Sequence, residues 1–278
     1  MQRTSMSVNM FTEVARYHGL LGMLAWRDIR VRYKQSLLGV AWAFLMPLIQ
    51  TLVLYAIFTY GPLRVTSDMT RGMPYLMFVL AGVVPWTFLA SSIAVSVECL
   101  TRNSRLVTKI YFPREVFPLG CVTACLVDFA IAWIIVLPFW LYFQFWANVP
   151  EMAVNLNLLW FFAALAVQTL FVAGISMVLS MANLFFRDVK YVMAFVIQVW
   201  FFATNVMYPI RFDNNKTLAL ISDFNVMIPV LQTYRDALAG HSVSNPLGLA
   251  VAALIALAVF FGGWALFHKA EFKFAEYV

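Results

Sequence analysis

Charge is what this sequence has least of. Only 12% of its 278 residues are Asp, Glu, Lys or Arg, about half the ~25% usual in soluble domains. Such a chain cannot clothe a soluble surface, which excludes a conventional cytosolic enzyme and a disordered tail. Cysteine is scarce as well. Cys99, Cys121 and Cys125 make no disulfide framework, and the i, i+4 pair Cys121/Cys125 supplies too few ligands for a metal. All three read as small core residues. No glycine is followed by lysine, so the phosphate cradle of a P-loop ATPase is missing. The three histidines, His18, His241 and His268, form no His-Glu-x-x-His zinc motif. The first 36 residues hold no apolar stretch after a basic start, so no cleavable signal peptide is expected.

What the chain has instead is hydrophobic surface: 63% of residues, with 17% aromatic. Apolar stretches run over 37–60, 73–97, 116–147 (interrupted only by Asp128), 156–184, 191–210 and 246–267. A bilayer core takes about 20 apolar residues per helix, so the pattern predicts an all-α integral membrane protein with six transmembrane helices. Lys and Arg fix its orientation. Fourteen of the nineteen lie in the N-terminal 36 residues, loop 101–115, loop 185–190 and the tail after 267, and five in the alternate loops. By the positive-inside rule both termini are cytoplasmic. The basic excess therefore reads as orientation, and nucleic acid is not an expected partner. Three parts follow: a cytoplasmic interface segment (1–36), a six-helix membrane domain (37–268) and a cytoplasmic tail (269–278).

Two regions fit neither a span nor a short loop. Residues 8–34 mix apolar side chains with Arg16, Arg27, Arg30, Arg32 and Lys34. They read as an amphipathic helix in the inner interface, with basic groups toward anionic headgroups and Trp26 at the boundary. Residues 205–246 carry apolar runs at 218–221 and 226–231 that are too short to cross. Short helices that enter the membrane and return, shielded by protein, are one solution.

Three function classes fit six spans without an ATPase motif. A secondary transporter needs ionisable relays at mid-membrane, and only Asp128 qualifies. An intramembrane serine protease has one superficial match, Gly174-Ile175-Ser176 with His268, although small residues in a membrane helix more often serve packing. The third class is the membrane half of a machine energised elsewhere. Its marks are a stripe of Phe44, Leu48, Thr51, Tyr55, Phe58 and Thr59 on span one, and Gln198, Phe201, Phe202, Asn205 and Tyr208 on span five. Flat rings beside amides and hydroxyls suit sugar, whose faces are apolar and edges polar. Lipid-facing or core packing accounts for the same stripes. Loop 101–115 adds Arg102, Arg105, Lys109 and Arg114 among Leu106, Val107, Ile110, Tyr111 and Phe112. That pattern suits a short amphipathic helix lying on the membrane or seated in a partner's groove.

Residues 26–47, WRDIRVRYKQSLLGVAWAFLMP, closely resemble the N-terminal motif of ABC-2 permeases that export polysaccharides such as O-antigen, capsule and teichoic acid. Residues 109–115, KIYFPRE, resemble the same family's loop between spans two and three, and 185–189, FFRDV, its turn after span four. The resemblance implies a homodimer of this chain with two separate ATP-hydrolysing subunits, which would bind the ATP and magnesium; no cofactor is expected here. It implies a coupling loop built from Arg102, Arg105, Lys109, Tyr111, Phe112, Arg114 and Glu115, and short re-entrant gate helices in 210–240. It also implies a channel lined by Tyr55, Phe58, Gln198, Phe201, Phe202, Asn205 and Tyr208. A lipid-linked polysaccharide would then cross the bacterial inner membrane, its carrier drawn to the basic stretch around Trp26, Arg27, Arg30, Arg32 and Lys34.

Overall fold

The computed structural model describes residues 17–34, 36, 38–61, 65, 69–104, 106, 113–146, 155–209, 224–271 and 274. Among them every regular element is helical: α1 (His18–Tyr33), α2 (Trp42–Tyr60), α3 (Tyr75–Val97), α4 (Cys99–Arg102), α5 (Val116–Phe145), α6 (Leu159–Phe185), α7 (Val189–Phe202), α8 (Met227–Leu238) and α9 (Pro246–Glu271). Helices are what apolar sequence must form where water is absent, because each satisfies its own backbone. Five are long and apolar enough to cross a bilayer, those of α2, α3, α5, α6 and α9.

α3 is the central post. Trp86 near its middle is buried, as are Leu89 and Ile93 beyond it. Its neighbours can be ordered along it. α5 runs antiparallel, with the Phe129 ring tilted against that of Phe88 at 5.3 Å. α6 presents Gln168 to the carbonyl of Pro85 at 2.7 Å. α9 runs alongside α6 in the same direction, through a contact that only glycine permits. A Cβ on Gly174 would stand 2.6 Å from the carbonyl oxygen of Val259, and one on Gly263 would stand 2.6 Å from that of Gly174. Ser176, two residues on in α6, is wholly buried, in the packing role expected of small residues in membrane helices.

The expected fifth span differs in form. α7 has 14 residues, about 21 Å of helix against the ~30 Å of a hydrocarbon core. The chain nevertheless continues along α3. Lys190 meets Glu98 at one end, Trp200 meets Trp86 at mid-length, and the carbonyl of Met207 accepts from the Tyr75 hydroxyl at the other end. Helix stops at Phe202 because other partners take over the backbone. Arg235 donates to the carbonyls of Asn205 and Val206 at 2.7 and 3.1 Å, and Asn225 Nδ2 reaches the Ala203 carbonyl at 3.5 Å. Irregular backbone at this depth is tolerated when protein satisfies it.

α8 fills the space between α3, α5 and α6. Its approach is at mid-length, where Asn225 Oδ1 accepts from Trp200 Nε1 at 3.1 Å. It ends level with the start of α3, where Leu238 accepts from Trp140 Nε1 at 2.9 Å and Asn155 and Asn157 both donate to Gly240. Most of its side chains are buried. Residues 210–223 of the expected gate region lie outside the described residues.

α1 packs on the first turns of α5 through buried Leu24 and Ala25. Asp28 Oδ2 sits 3.7 Å from Cys121 Sγ and Arg32 Nη2 3.6 Å from Cys125 Sγ. Stepping together in this way, α1 runs beside the first half of α5, from Gly120 to Asp128. Residues 8–16 of the expected interface helix lie outside the described residues.

Candidate functional site

Among the described α-helices, α7 alone has no buried residue. One flank leans on α3 through Trp200 and Phe201, 5.7 and 5.6 Å from the ring of Trp86. Toward α2 it leaves a cleft of about 400 Å³ between Gln50, Trp86, Thr87, Ser91, Gln198 and Phe202. A second cleft of about 300 Å³ shares Ala194 and Ile197 with the first and ends at Glu98, Lys190 and Tyr191. Together they make a groove along α7, roughly 18 Å from residue 190 to 202 at 1.5 Å per residue. Thr87 and Ser91 give their hydroxyl protons to Val83 and Phe88 of their own helix, which leaves the oxygens able to accept. Amides, hydroxyl oxygens and ring faces along one groove offer sugar-compatible chemistry.

The residues expected to line a channel divide into three sets. Gln198, Phe201 and Phe202 line the groove. Tyr55, Phe58 and Tyr208 instead gather at the far end around Tyr75, with Tyr55 and Phe58 6.1 and 6.2 Å from its ring and Tyr208 6.3 Å from Phe58. Asn205 is buried and belongs to the backbone joint held by Arg235. Trp86, Thr87 and Ser91 lie on span two, outside the stripes of spans one and five, and Gln50 lies on span one but off its stripe. The signal for the three on span two was the i, i+4 pair Thr87/Ser91 beside Trp86.

At the Glu98 end the charged residues form two clamps. Glu98 accepts from Lys190 and from Arg102, each at 3.3 Å, and these hydrogen bonds, Lys190's above all, hold its carboxyl below the usual range. Arg114 donates to the Glu271 carbonyl and lies over the Phe274 ring at 5.7 Å. Buried Glu115 contacts His268 Nδ1 at 3.3 Å. Thus Arg114 and Glu115 tie the end of loop 101–115 to the end of α9. Arg105, Lys109, Tyr111 and Phe112 lie outside the described residues. Glu115, His268 and Glu271 are the one grouping among the described residues with ligand atoms close enough for a metal, and Arg114 already offsets its negative charge.

The basic residues of α1 divide likewise. Arg30 lies over the exposed Trp26 ring at 5.3 Å, Arg27 pairs with Asp28 at 2.8 Å, and Lys34 is exposed. Arg32 turns inward to an ion pair with Asp128, whose other oxygen accepts from Tyr33 at 2.8 Å. Burial and the Asp128 carboxylate push the Tyr33 phenol up. Asp128 therefore has its basic partner on the interface helix, where a search of the spans could not find it.

An apolar bundle with five helices long enough to cross a bilayer is the architecture of an integral membrane protein. The chain belongs to the ABC-2 type transporter family, whose profile matches residues 19–239. It is 29% identical to an O-antigen export system permease protein RfbA of Klebsiella pneumoniae over 98% of this chain and 99% of that one. It is 26% identical to the RfbA of Myxococcus xanthus over 97% and 99%. With the polysialic acid transport protein KpsM of Escherichia coli it shares 23% identity over 88% and 91%.

Proposed function

We propose that this protein is the permease subunit of an ATP-driven exporter that moves a lipid-linked polysaccharide across the bacterial inner membrane. Two copies and two ATP-hydrolysing subunits, which bind ATP and magnesium, make the working complex. The groove of amides, hydroxyls and rings along α7 carries this reading, because the exposed face beside it is what a second copy would close into a channel. Full-length similarity to named O-antigen export permeases supports the substrate class.

Six crossings with both termini cytoplasmic fit the packing. α6 and α9 point the same way, which requires the chain between them to return to the side where α6 began. The stretch 189–208, following α3 from Glu98 to Tyr75, supplies that crossing. α8, approached at mid-depth and ending level with the start of α3, fits a re-entrant gate helix. In this topology the Glu98 end is cytoplasmic, loop 101–115 couples to the ATPase and 1–36 lies at the inner interface, with 269–278 as the tail. Exposed Arg30 and Lys34 are then the cations left for a carrier's pyrophosphate. The secondary-transporter reading loses support because Asp128 is already paired. The protease reading loses it because Ser176 is wholly buried.

Single alanine substitutions at Trp86, Gln198 and Phe202 test the groove. Each is expected to slow polymer export by the assembled complex while the ATPase subunit still co-purifies. Export at the unaltered rate in all three would remove the groove from the transport path.

A further inference from the structure

At the Tyr75 end of the bundle, opposite the clamps, a cavity of about 190 Å³ opens between the loop before α3, the end of α8 and the loop that follows it. That is far more than the ~10–15 Å³ one water needs. Its walls include Arg71, Gln232, Arg235, Asp236, His241 and Ser244. No candidate channel or coupling residue is among them.

The charges of this cavity do not balance. Arg235 is 3% exposed. Its guanidinium carbon lies over the Phe78 ring at 3.6 Å, in space that exists because residue 82 is glycine: a Cβ there would stand 2.6 Å from Nη2. Nε donates to the Phe78 carbonyl at 3.2 Å and Nη2 to Asn205 and Val206. Buried Nη1 has no hydrogen-bond partner among the described residues. Asp236 cannot be that partner's substitute, because its oxygens are committed. Oδ1 accepts from Gln232 at 3.0 Å and Arg71 at 3.4 Å, and Oδ2 from the Ser244 amide at 2.8 Å and from its hydroxyl. Arg71 holds a left-handed backbone at φ 57°, a conformation uncommon outside glycine, and its side chain is 54% exposed. Arg71 thus takes the cavity's one carboxylate, Asp236, and the more deeply buried Arg235 has a donor without a partner among the described residues. A buried cation with an unmet donor is costly without an anion, and planar guanidinium is the group that binds oxyanions best.

We propose that this cavity is a phosphate-binding site formed by Arg71 and Arg235. Its occupant is a phosphate group, free or carried by a lipid headgroup. That it faces the side away from the ATPase rests on the topology proposed above; the site itself does not.

The test is calorimetric titration of the full-length chain in phosphatidylcholine nanodiscs with inorganic phosphate at constant ionic strength. Saturable binding is expected, weakened at least tenfold in Arg71→Gln and unchanged in Arg187→Gln. Arg71 is half exposed, so its loss leaves the fold intact, whereas Arg235 also holds three carbonyls. Absence of saturable binding, or equal binding by Arg71→Gln, overturns the site. Nanodiscs doped with polyprenyl phosphate separate the sources. Competition with inorganic phosphate supports a headgroup occupant, and undiminished phosphate affinity supports the free ion. Sidedness is read separately, by impermeant thiol labelling of Ser242→Cys in proteoliposomes. Labelling from the ATPase side that phosphate slows would sink the topology and keep the site.

Discussion

α7 and α8 are both short helices, of 14 and 12 residues, and both pack against α3 and α6, with opposite fates. α7 is almost wholly apolar, yet none of its residues is buried. α8 carries Gln232, Thr233, Tyr234, Arg235 and Asp236, and nearly all of it is buried. In water this would be inverted. In a bilayer, apolar side chains have no reason to leave the surface, whereas every polar group must find a protein partner. α8 is therefore held by hydrogen bonds, of which the relay from the Tyr234 hydroxyl to Gln168 Oε1 at 3.0 Å and on to the Pro85 carbonyl is the clearest. α7 stays available to lipid, substrate or a second copy.

That contrast can be broken most forcefully at Arg235. Arg235→Ala removes the side-chain donor from the carbonyls of Phe78, Asn205 and Val206 and is expected to cost about 1–3 kcal/mol for each buried acceptor left unsatisfied. Loss of monodisperse protein in detergent would show it; a normal elution profile and melting curve would contradict the role of α8 as a polar anchor. Gln168→Leu cuts the neutral relay and should cost about 1–3 kcal/mol, read as a lower melting temperature of the purified chain.

Arg32→Gln tests the same principle where α1 meets α5. The Arg32 and Asp128 side chains are 28% and 15% exposed, so the expected loss is about 1–3 kcal/mol, short of the ~3–5 of a fully buried pair. Adding Asp128→Asn should restore much of it. Non-recovery in the double variant would mean that Arg32 stabilises through some other contact. On α7 the prediction reverses: Phe195, 68% exposed, can become alanine with a change within about 0.5 kcal/mol. Its effect should appear in dimer assembly or export instead.

The smallest effect concerns pH. Glu98 has its folded-state carboxyl lowered by Lys190 and Arg102. Its clamp thus contributes fully above the usual carboxylate range near ~4.3 and is lost only as pH falls through the lowered value. Wild type and Glu98→Gln should accordingly differ by the same small amount across pH 6 to 8. A difference that grows within that window would assign the titration to another group.

Much of this was legible in the linear pattern, and the limits of that reading are instructive. The long spans were visible because apolar runs of the right length leave a membrane helix little alternative, and five of the six stretches became helices at nearly the expected limits. The sixth was visible as a stretch but not as a helix that stops at Phe202, since what stops it is Arg235, some thirty residues on. Periodicity identified stripes of rings on spans one and five, but a stripe says which residues share a face and not what that face meets. Gln198 and Phe202 therefore proved to line a groove, while Tyr55 and Phe58 closed around Tyr75.

The sequence by itself determined the solvent, the number of apolar stretches, the asymmetry of Lys and Arg and the lack of an ATPase motif. These are properties of local composition, fixed by the cost of placing charge or unsatisfied backbone in hydrocarbon. Only the tertiary structure decided which polar groups meet. Arg32 finds Asp128 and Arg235 finds Phe78 across 96 and 157 positions of chain. Such pairs depend on how helices rotate and cross when they pack, and that is set by the shapes of all the neighbours at once.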